Sequence, residues 1–358
     1  MYDRILVTGG AGFVGSSLAL AIKAAHPAVS VTALDNLRRR GSELNLDRLR
    51  HAGIQFAHGD VRSREDLDLP QTPDLILECS AEPSVLAGYG GSPEYLIRSN
   101  LMGCFHCLEY ARRVRADFIL FSTSRVYPYA LLNNLAYVEE ETRFALRTEQ
   151  TLRGASAAGV TEDFPLEGPR SLYGMTKLAG ELMLQEYSDA YGIRGIVNRC
   201  GLLTGPWQIG KSDQGVVALW MLAHYFGQPL RYIGFKGSGK QVRDFLHIAD
   251  LVELLEEQIS HFDLYAGQTF NVGGGTACSL SLREMTALCR TISGRSVAVG
   301  ASTDDHPVDV RIYIGDHGRV SAISGWRPKR TAQQTLTDIF NWIHSEERRL
   351  EPVLAMLR

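Results

Sequence analysis

Short apolar, β-branched runs alternate with longer amphipathic stretches through the first half of the chain. Residues 5–7, 29–34, 54–57, 75–78, 118–122 and 195–198 have the length and the mostly apolar, β-branched character of buried strands. Residues 9–15 read as a turn and 16–25 as a helix, so the first two runs form one βαβ unit. Helical periodicity follows at 98–114 and 174–191. Strands alternating with helices predict an α/β fold with a doubly wound parallel sheet. Right-handed crossovers then put the loops that follow the strands along one edge, where ligands bind.

Beyond residue 198 the pattern changes. A Gly/Pro-rich loop leads to a helix near 216–226, short strands near 230–233 and 269–272, and helices near 282–292 and 332–344. Residues 1–198 are expected to form the first domain. Residues 199–358 are expected to form mostly a smaller, lid-like substrate-binding domain, with some segments returning to the first. Residues 128–170, acidic from Glu139 to Glu141 and weakly periodic, are read as an insertion. A segment of that length without its own periodicity is functional or disordered.

Two local patterns give this scaffold a chemistry. Thr8, Gly9, Gly10, Ala11, Gly12, Phe13, Val14 and Gly15 follow a strand and open a helix. Gly9 and Gly12 let the backbone turn and approach a pyrophosphate, Gly15 lets the helix pack on the strand, and the helix N-terminus favours the phosphate charge. This is a Rossmann-type arrangement. Asp35 ends the second strand, 20 residues past Gly15, where a carboxylate accepts from a ribose 2′-hydroxyl and repels a 2′-phosphate. NAD is therefore expected over NADP. Arg38, Arg39 and Arg40 argue the other way, because an arginine there can hold a 2′-phosphate; a solvated loop is their simpler reading. After the third strand, Gly59, Asp60 and Val61 either bring a carboxylate to the adenine or form an ordinary turn.

The second pattern is Tyr173 and Lys177. On a helix, positions four apart share a face about 6 Å apart. A nearby ammonium favours the phenolate and so lowers a tyrosine pKa of about 10. A lone pair of this kind suits any amphipathic helix, but beside a dinucleotide turn it points to redox chemistry. Ser122, Thr123 and Ser124 end the strand at 118–122, where a hydroxyl either caps a turn or reaches the tyrosine.

Composition narrows the class. With 45% hydrophobic and 22% charged residues and a net charge of −3, the 358-residue chain is that of a globular protein, and nothing in it calls for nucleic acid. Met1 leads straight into an apolar strand with no basic leader, and no stretch reaches bilayer length, so a cytoplasmic protein without a membrane partner is expected. The six cysteines fit reduced thiols. His106, between Cys104 and Cys107, invites a zinc reading. No second cysteine pair completes it, and Leu101, Phe105 and Leu108 around it read as a buried helix face, so no metal is expected.

On TGGAGFVG from Thr8, Asp35, GDV from Gly59, STS from Ser122 and YGMTK from Tyr173, taken in order, the chain resembles the extended short-chain dehydrogenase/reductase family. The likeness is to its nucleotide-sugar epimerases and dehydratases and covers essentially the whole length. It implies Thr123, Tyr173 and Lys177 as the catalytic set. It implies Gly9, Gly12, Phe13, Val14, Gly15, Asp35, Asn36, Asp60, Val61, Ser80 and Ala81, with Tyr173 and Lys177, as NAD contacts. Ser124, Arg125, Asn198, Gln214, Arg243 and Arg311 are implied as contacts to a nucleotide-diphosphate sugar. Arg243 lies in GSGKQVRDFLHIAD and Arg311 in HPVDVR; planar, permanently charged guanidiniums suit a diphosphate, and a surface salt bridge is the simpler role for each.

The run 205–220 with its SDQG, and Glu141, Thr142 and Arg143, resemble the branch of CDP-paratose 2-epimerases. Family dehydratases carry an Asp-Glu pair directly after the catalytic threonine, where this chain has Ser124 and Arg125, which argues against dehydration. Leu202 and Leu203 stand where many members have an asparagine pair, so substrate placement cannot be copied from them. The expectation is an NAD-dependent epimerase working through a transient keto sugar, at C2 of a CDP-hexose. C4 inversion of a UDP-sugar and a net dehydrogenase or reductase are the alternatives, and an NAD-sensing regulatory protein is the non-enzymatic one. The resemblance also implies a homodimer paired through 98–114 and 174–191, where Leu101, Phe105, Leu108, Leu178, Leu182 and Leu184 fall on more than one face.

Overall fold

A computed structural model describes residues 2–209, 215–302 and 308–355. Its central element is a seven-stranded sheet. β1 (Arg4–Thr8) pairs in parallel with β2 (Ser30–Asp35) and with β4 (Leu75–Glu78). β2 pairs with β3 (Gln55–His58), and β4 with β5 (Asp117–Thr123). Gly195–Cys200 and then Gln268–Val272 complete the order beyond β5. Three of the runs read as buried strands are fully covered: every residue of β4, β5 and Gly195–Cys200 is buried, whereas β3, at the edge of the sheet, runs from exposed to half-buried. The strand order reverses between β1 and β4, the point where open α/β sheets form their ligand crevice.

The chain divides into two compact units. One comprises Met1–Val126, Leu172–Arg199 and Leu251–Phe270. Its core joins Leu6, Ile76, Phe118 and Leu120 of the strands to Leu108 and Leu184 of the helices. The expected strand near 269–272 belongs to this sheet rather than to a separate lid: Gln268–Val272 follows the helix Ile248–Ser260, and the Gly267 N–H donates to the Gly195 carbonyl at 2.7 Å. The helix expected at 98–114 is also divided. Ile97–Met102 is a π-helical turn, and the α-helix proper is Gly103–Val114. Such turns are rare and recur at functional sites; here the turn carries the buried Asn100.

The other unit comprises Tyr127–Ser171, Cys200–Asp250 and Asn271–Arg358. Its central strand, Val242–His247, runs parallel to Leu202–Thr204 and Ile312–Tyr313 and antiparallel to Ser279–Ser281. The helices Val216–Phe226, Leu282–Ser293 and Ala332–Ser345 pack together, the last two opened by capping boxes at Ser281 and Thr331. The segment 128–170 is ordered by small ribbons, Tyr137–Glu139 with Phe144–Leu146 and Ala155–Ser156 with Gly159–Val160. Gly159 is required there: its φ is +123°, and a Cβ would stand 2.3 Å from the Ile314 carbonyl oxygen. Among the described residues no helix is long and apolar enough to cross a membrane, and no cluster of His, Cys, Asp or Glu could hold a metal ion.

Candidate functional site

The glycine turn is shaped by close approach. Gly9 has φ +62°, and a Cβ on it would lie 2.8 Å from the Cys79 carbonyl oxygen and 3.0 Å from the Ser80 nitrogen, so the turn rests on the loop after β4 that carries Ser80 and Ala81. A Cβ on Gly15 would be 2.2 Å from the Gly9 carbonyl oxygen. Only glycine permits that contact. Gly12 is the N-cap of the helix Phe13–Ala25, with Phe13 and Val14 in its first turn. No side chain caps this helix and no acidic residue lies in its first turn. Its N-terminal amides and dipole therefore face a position suited to an anion.

Asp35 is half-buried at the end of β2. Its carboxylate accepts from the Ala11 N–H at 3.1 Å and the Leu37 N–H at 2.8 Å. Burial pushes its pKa up while these amides hold it down. Asn36 donates to Asp60 at 2.8 Å, and Arg62 pairs with Asp60 at 2.6 Å. Against burial, which raises it, these partners bring Asp60 to about 2. Asp35, Asn36 and Asp60 are thus brought together at one sheet edge. The exposed Arg38 guanidinium stacks 3.8 Å from the Tyr95 ring centroid, with Arg62 at 4.9 Å from the same ring. Val61 is buried, and its carbonyl meets the His106 Nδ1 at 2.8 Å, a helix-to-loop contact that accounts for that histidine.

β5 ends on Thr123, whose Oγ1 accepts from the Arg125 N–H at 3.2 Å; Ser124 and Arg125 form the 3₁₀ turn that follows. Tyr173 and Lys177 lie one turn apart near the start of the helix Leu172–Tyr191, and both are buried. Lys177 Nζ donates to Glu78 Oε2 at 3.0 Å. Burial pushes the ammonium towards its neutral form, but the Glu78 carboxylate overrides this and the net shift is upward. One turn further on, Glu181 accepts from Ser122 at 2.5 Å and pairs with Arg199 at 2.7 Å, tying the helix to two strands. Asn100 exchanges bonds with the Glu82 backbone at 2.8 and 3.1 Å and donates to Thr176 Oγ1 at 3.2 Å.

Sequence reasoning missed Glu78, Asn100, Glu181 and Arg199, and it did not give Ser122 the Glu181 carboxylate as its partner. One signal was available: a carboxylate closing the apolar run LILE needs a partner when the strand is buried. Asn198 is fully buried and exchanges two amide hydrogen bonds with Gln258, at 2.8 and 2.9 Å.

In the other unit, Arg243 lies within Val242–His247, opposite Tyr313 in the register, and Arg311 immediately precedes Ile312–Tyr313. Arg243 pairs with Asp309 at 3.0 Å. Arg311 donates to the Asn133 carbonyl at 3.0 Å, and its guanidinium lies 4.3, 5.3 and 5.7 Å from the ring centroids of Tyr137, Phe235 and Phe144. Gln214 lies outside the described residues. Asp244 is wholly buried: Oδ2 accepts from the Gly275 and Gly315 N–H groups at 3.2 Å each, while among the described residues Oδ1 has no hydrogen-bond partner. Burial pushes it up to about 7.

The family model described as NAD dependent epimerase/dehydratase matches residues 5–273. The chain is 27% identical over 354 residues to CDP-paratose 2-epimerase of Salmonella typhi, covering 96% of this chain and 99% of that one. It is also 27% identical to dTDP-glucose 4,6-dehydratase of Mycolicibacterium smegmatis, covering 96% and 94%. Among solved structures, UDP-glucuronic acid 4-epimerase from Bacillus cereus, in complex with UDP-glucuronic acid and NAD, shares the fold with a TM-score of 0.78 at 23% identity, covering 96% and 99%.

Proposed function

The chain belongs to the NAD dependent epimerase/dehydratase family, and from that premise we propose that it inverts one carbon of a nucleotide-diphosphate sugar by way of a transient keto sugar, at C2 of a CDP-hexose. It is an enzyme, and its cofactor is NAD. The residues present fit that cofactor: the glycine turn and the uncapped helix suit the pyrophosphate, and Asp35 suits the ribose. Bound NAD supplies a reversible acceptor for the hydrogen of the carbon being inverted. Tyr173, as phenolate, takes the proton of the sugar hydroxyl and later returns it. Lys177 stabilises the phenolate by charge, and Thr123 hydrogen-bonds the reacting oxygen. The ketone turns its other face between the two proton transfers, so no net oxidation occurs. Arg243 and Arg311 are assigned to the diphosphate.

The observation that carries this reading is Tyr173 one helical turn from a buried, charged Lys177, in the same unit as the glycine turn. Ser124 and Arg125 after Thr123 favour epimerisation over dehydration, and the likeness to the Salmonella typhi enzyme favours C2. Incubation with UDP-, CDP- and GDP-hexoses in deuterated water, followed by NMR, tests it. An epimer with little deuterium at the inverted carbon is expected. One deuterium per turnover at that carbon would mean proton abstraction beside an existing carbonyl and would sink the mechanism, while accumulation of reduced cofactor would mean a net dehydrogenase.

A homodimer is part of the proposal. Met102 is 40% exposed, Met175 36% and Leu182 55%, an apolar strip on the two helices expected to pair. Buried thiols at Cys104, Cys107, Cys278 and Cys289 suit a reducing cytoplasm. Neither membrane nor nucleic acid is among the partners proposed.

A further inference from the structure

Lys177 and Glu78 are almost sealed from solvent, their side chains 4% and 1% exposed, with 3.0 Å between Nζ and Oε2. Glu78 is the last residue of β4 and stands opposite Thr8 in the register, so the carboxylate sits where the strand order reverses, beside the start of the glycine turn. The groups facing the ammonium come from three elements. Tyr173 is on its own helix, Glu78 on β4, and Cys104 and Cys107 on the helix Gly103–Val114. Burial pushes both thiols up, which keeps them neutral. Glu181, one turn beyond Lys177, is matched by Arg199. Burial pushes the Glu78 carboxyl up too, opposed by the Lys177 ammonium and the Ser80 N–H; the 3.0 Å contact, with no other unmatched carboxylate among these groups, makes Glu78 the negative charge that faces Lys177.

An ammonium this deeply buried would shed its proton without an anion in contact. Tyr173 cannot be that anion throughout, because the proposed reaction makes and unmakes its phenolate in each turnover. We propose that Glu78 is a positioning residue: from β4 it anchors Lys177 and keeps it an ammonium while Tyr173 cycles between phenol and phenolate. The benefit to Tyr173 rests on the function proposed above. The effect on Lys177 does not, and the two are tested separately.

The chain has six lysines, few enough for each side chain to be followed by NMR of protein labelled with ¹³C-lysine. In the NAD-loaded protein, with Lys177→Met assigning the signal, Lys177 should stay an ammonium beyond the pH at which the surface lysines titrate. If the parent Lys177 titrates with or below them, the proposal is wrong whatever any variant does. Glu78→Gln keeps an acceptor for Nζ but removes the charge, and should lower the Lys177 midpoint by about two pH units. Glu78→Asp should recover part of that shift. An unchanged midpoint in Glu78→Gln would overturn the idea.

Turnover of the sugar identified by the substrate panel gives the second readout. In Glu78→Gln the alkaline limb of the kcat profile should move down with the Lys177 midpoint. A variant that only melted earlier, with its pH limbs in place, would show Glu78 to be structural. If no sugar is turned over by the parent, the proposed function fails while the lysine titration still decides the role of Glu78.

Discussion

Tyr173 contributes a hydroxyl, and Lys177 beside it is held by Glu78 independently of that hydroxyl. Tyr173→Phe should therefore lower turnover by roughly 10²–10⁴-fold, the worth of a general base, while the purified protein keeps its NAD. Turnover near the parent rate would contradict the assignment. Asp35 offers a second test, because its carboxylate both meets the Ala11 and Leu37 amides and repels a 2′-phosphate. Calorimetry should find NAD bound much more tightly than NADP, with the gap narrowed in Asp35→Ala; a parent that preferred NADP would shift the weight to Arg38. Asp244 offers a test on stability instead. Its pKa, pushed by burial to about 7, lies above the unfolded value of about 3.9, so the native state binds the extra proton. Stability is then complete below about pH 4 and falls as pH rises through 7, by at most about 1.4 kcal/mol per unit. Asp244→Asn cannot titrate, so its melting temperature relative to the parent should rise between pH 5 and pH 8; a constant difference would show that Asp244 carries no such proton.

Elements follow from close approaches that single substitutions can break. With a Cβ 2.2 Å from the Gly9 carbonyl oxygen, Gly15→Ala must push the helix Phe13–Ala25 off the turn. An overpacking cost of about 1–3 kcal/mol is expected, together with weaker NAD binding, measured by denaturant titration and calorimetry. The central strands of the large sheet and the helix Leu172–Tyr191 were legible because burial on both faces writes a mostly apolar run and one-sided burial a 3.6-residue period. Which sheet a short run joins is not written that way. Thr269 to Val272 looks like any brief apolar strand, and its place beside Gly195–Cys200 depends on a distant backbone partner. Polar pairs escape for the same reason: Glu78 finds Lys177 across 99 positions and Asn198 finds Gln258 across 60, separations that no local periodicity encodes.

At the scale of the whole molecule, the exposed Met102, Met175 and Leu182 call for a covering surface. Light scattering at micromolar concentration should give a dimer, and Leu182→Glu a monomer; a monomeric parent would remove the homodimer from the proposal. The late closing strand of the large sheet bears on how the protein is made. On the ribosome, Gly195–Cys200 emerges with one edge unpaired, and its neighbour Gln268–Val272 appears only after the intervening 201–267. At roughly 5–20 residues per second, that leaves several seconds in which an apolar strand edge is open to the wrong partner. A nascent chain stalled before residue 268 should be captured by chaperones or aggregate, and one stalled well beyond 272 should resist protease over its first two hundred residues. The interval between two neighbouring strands thus becomes a period of exposure during synthesis.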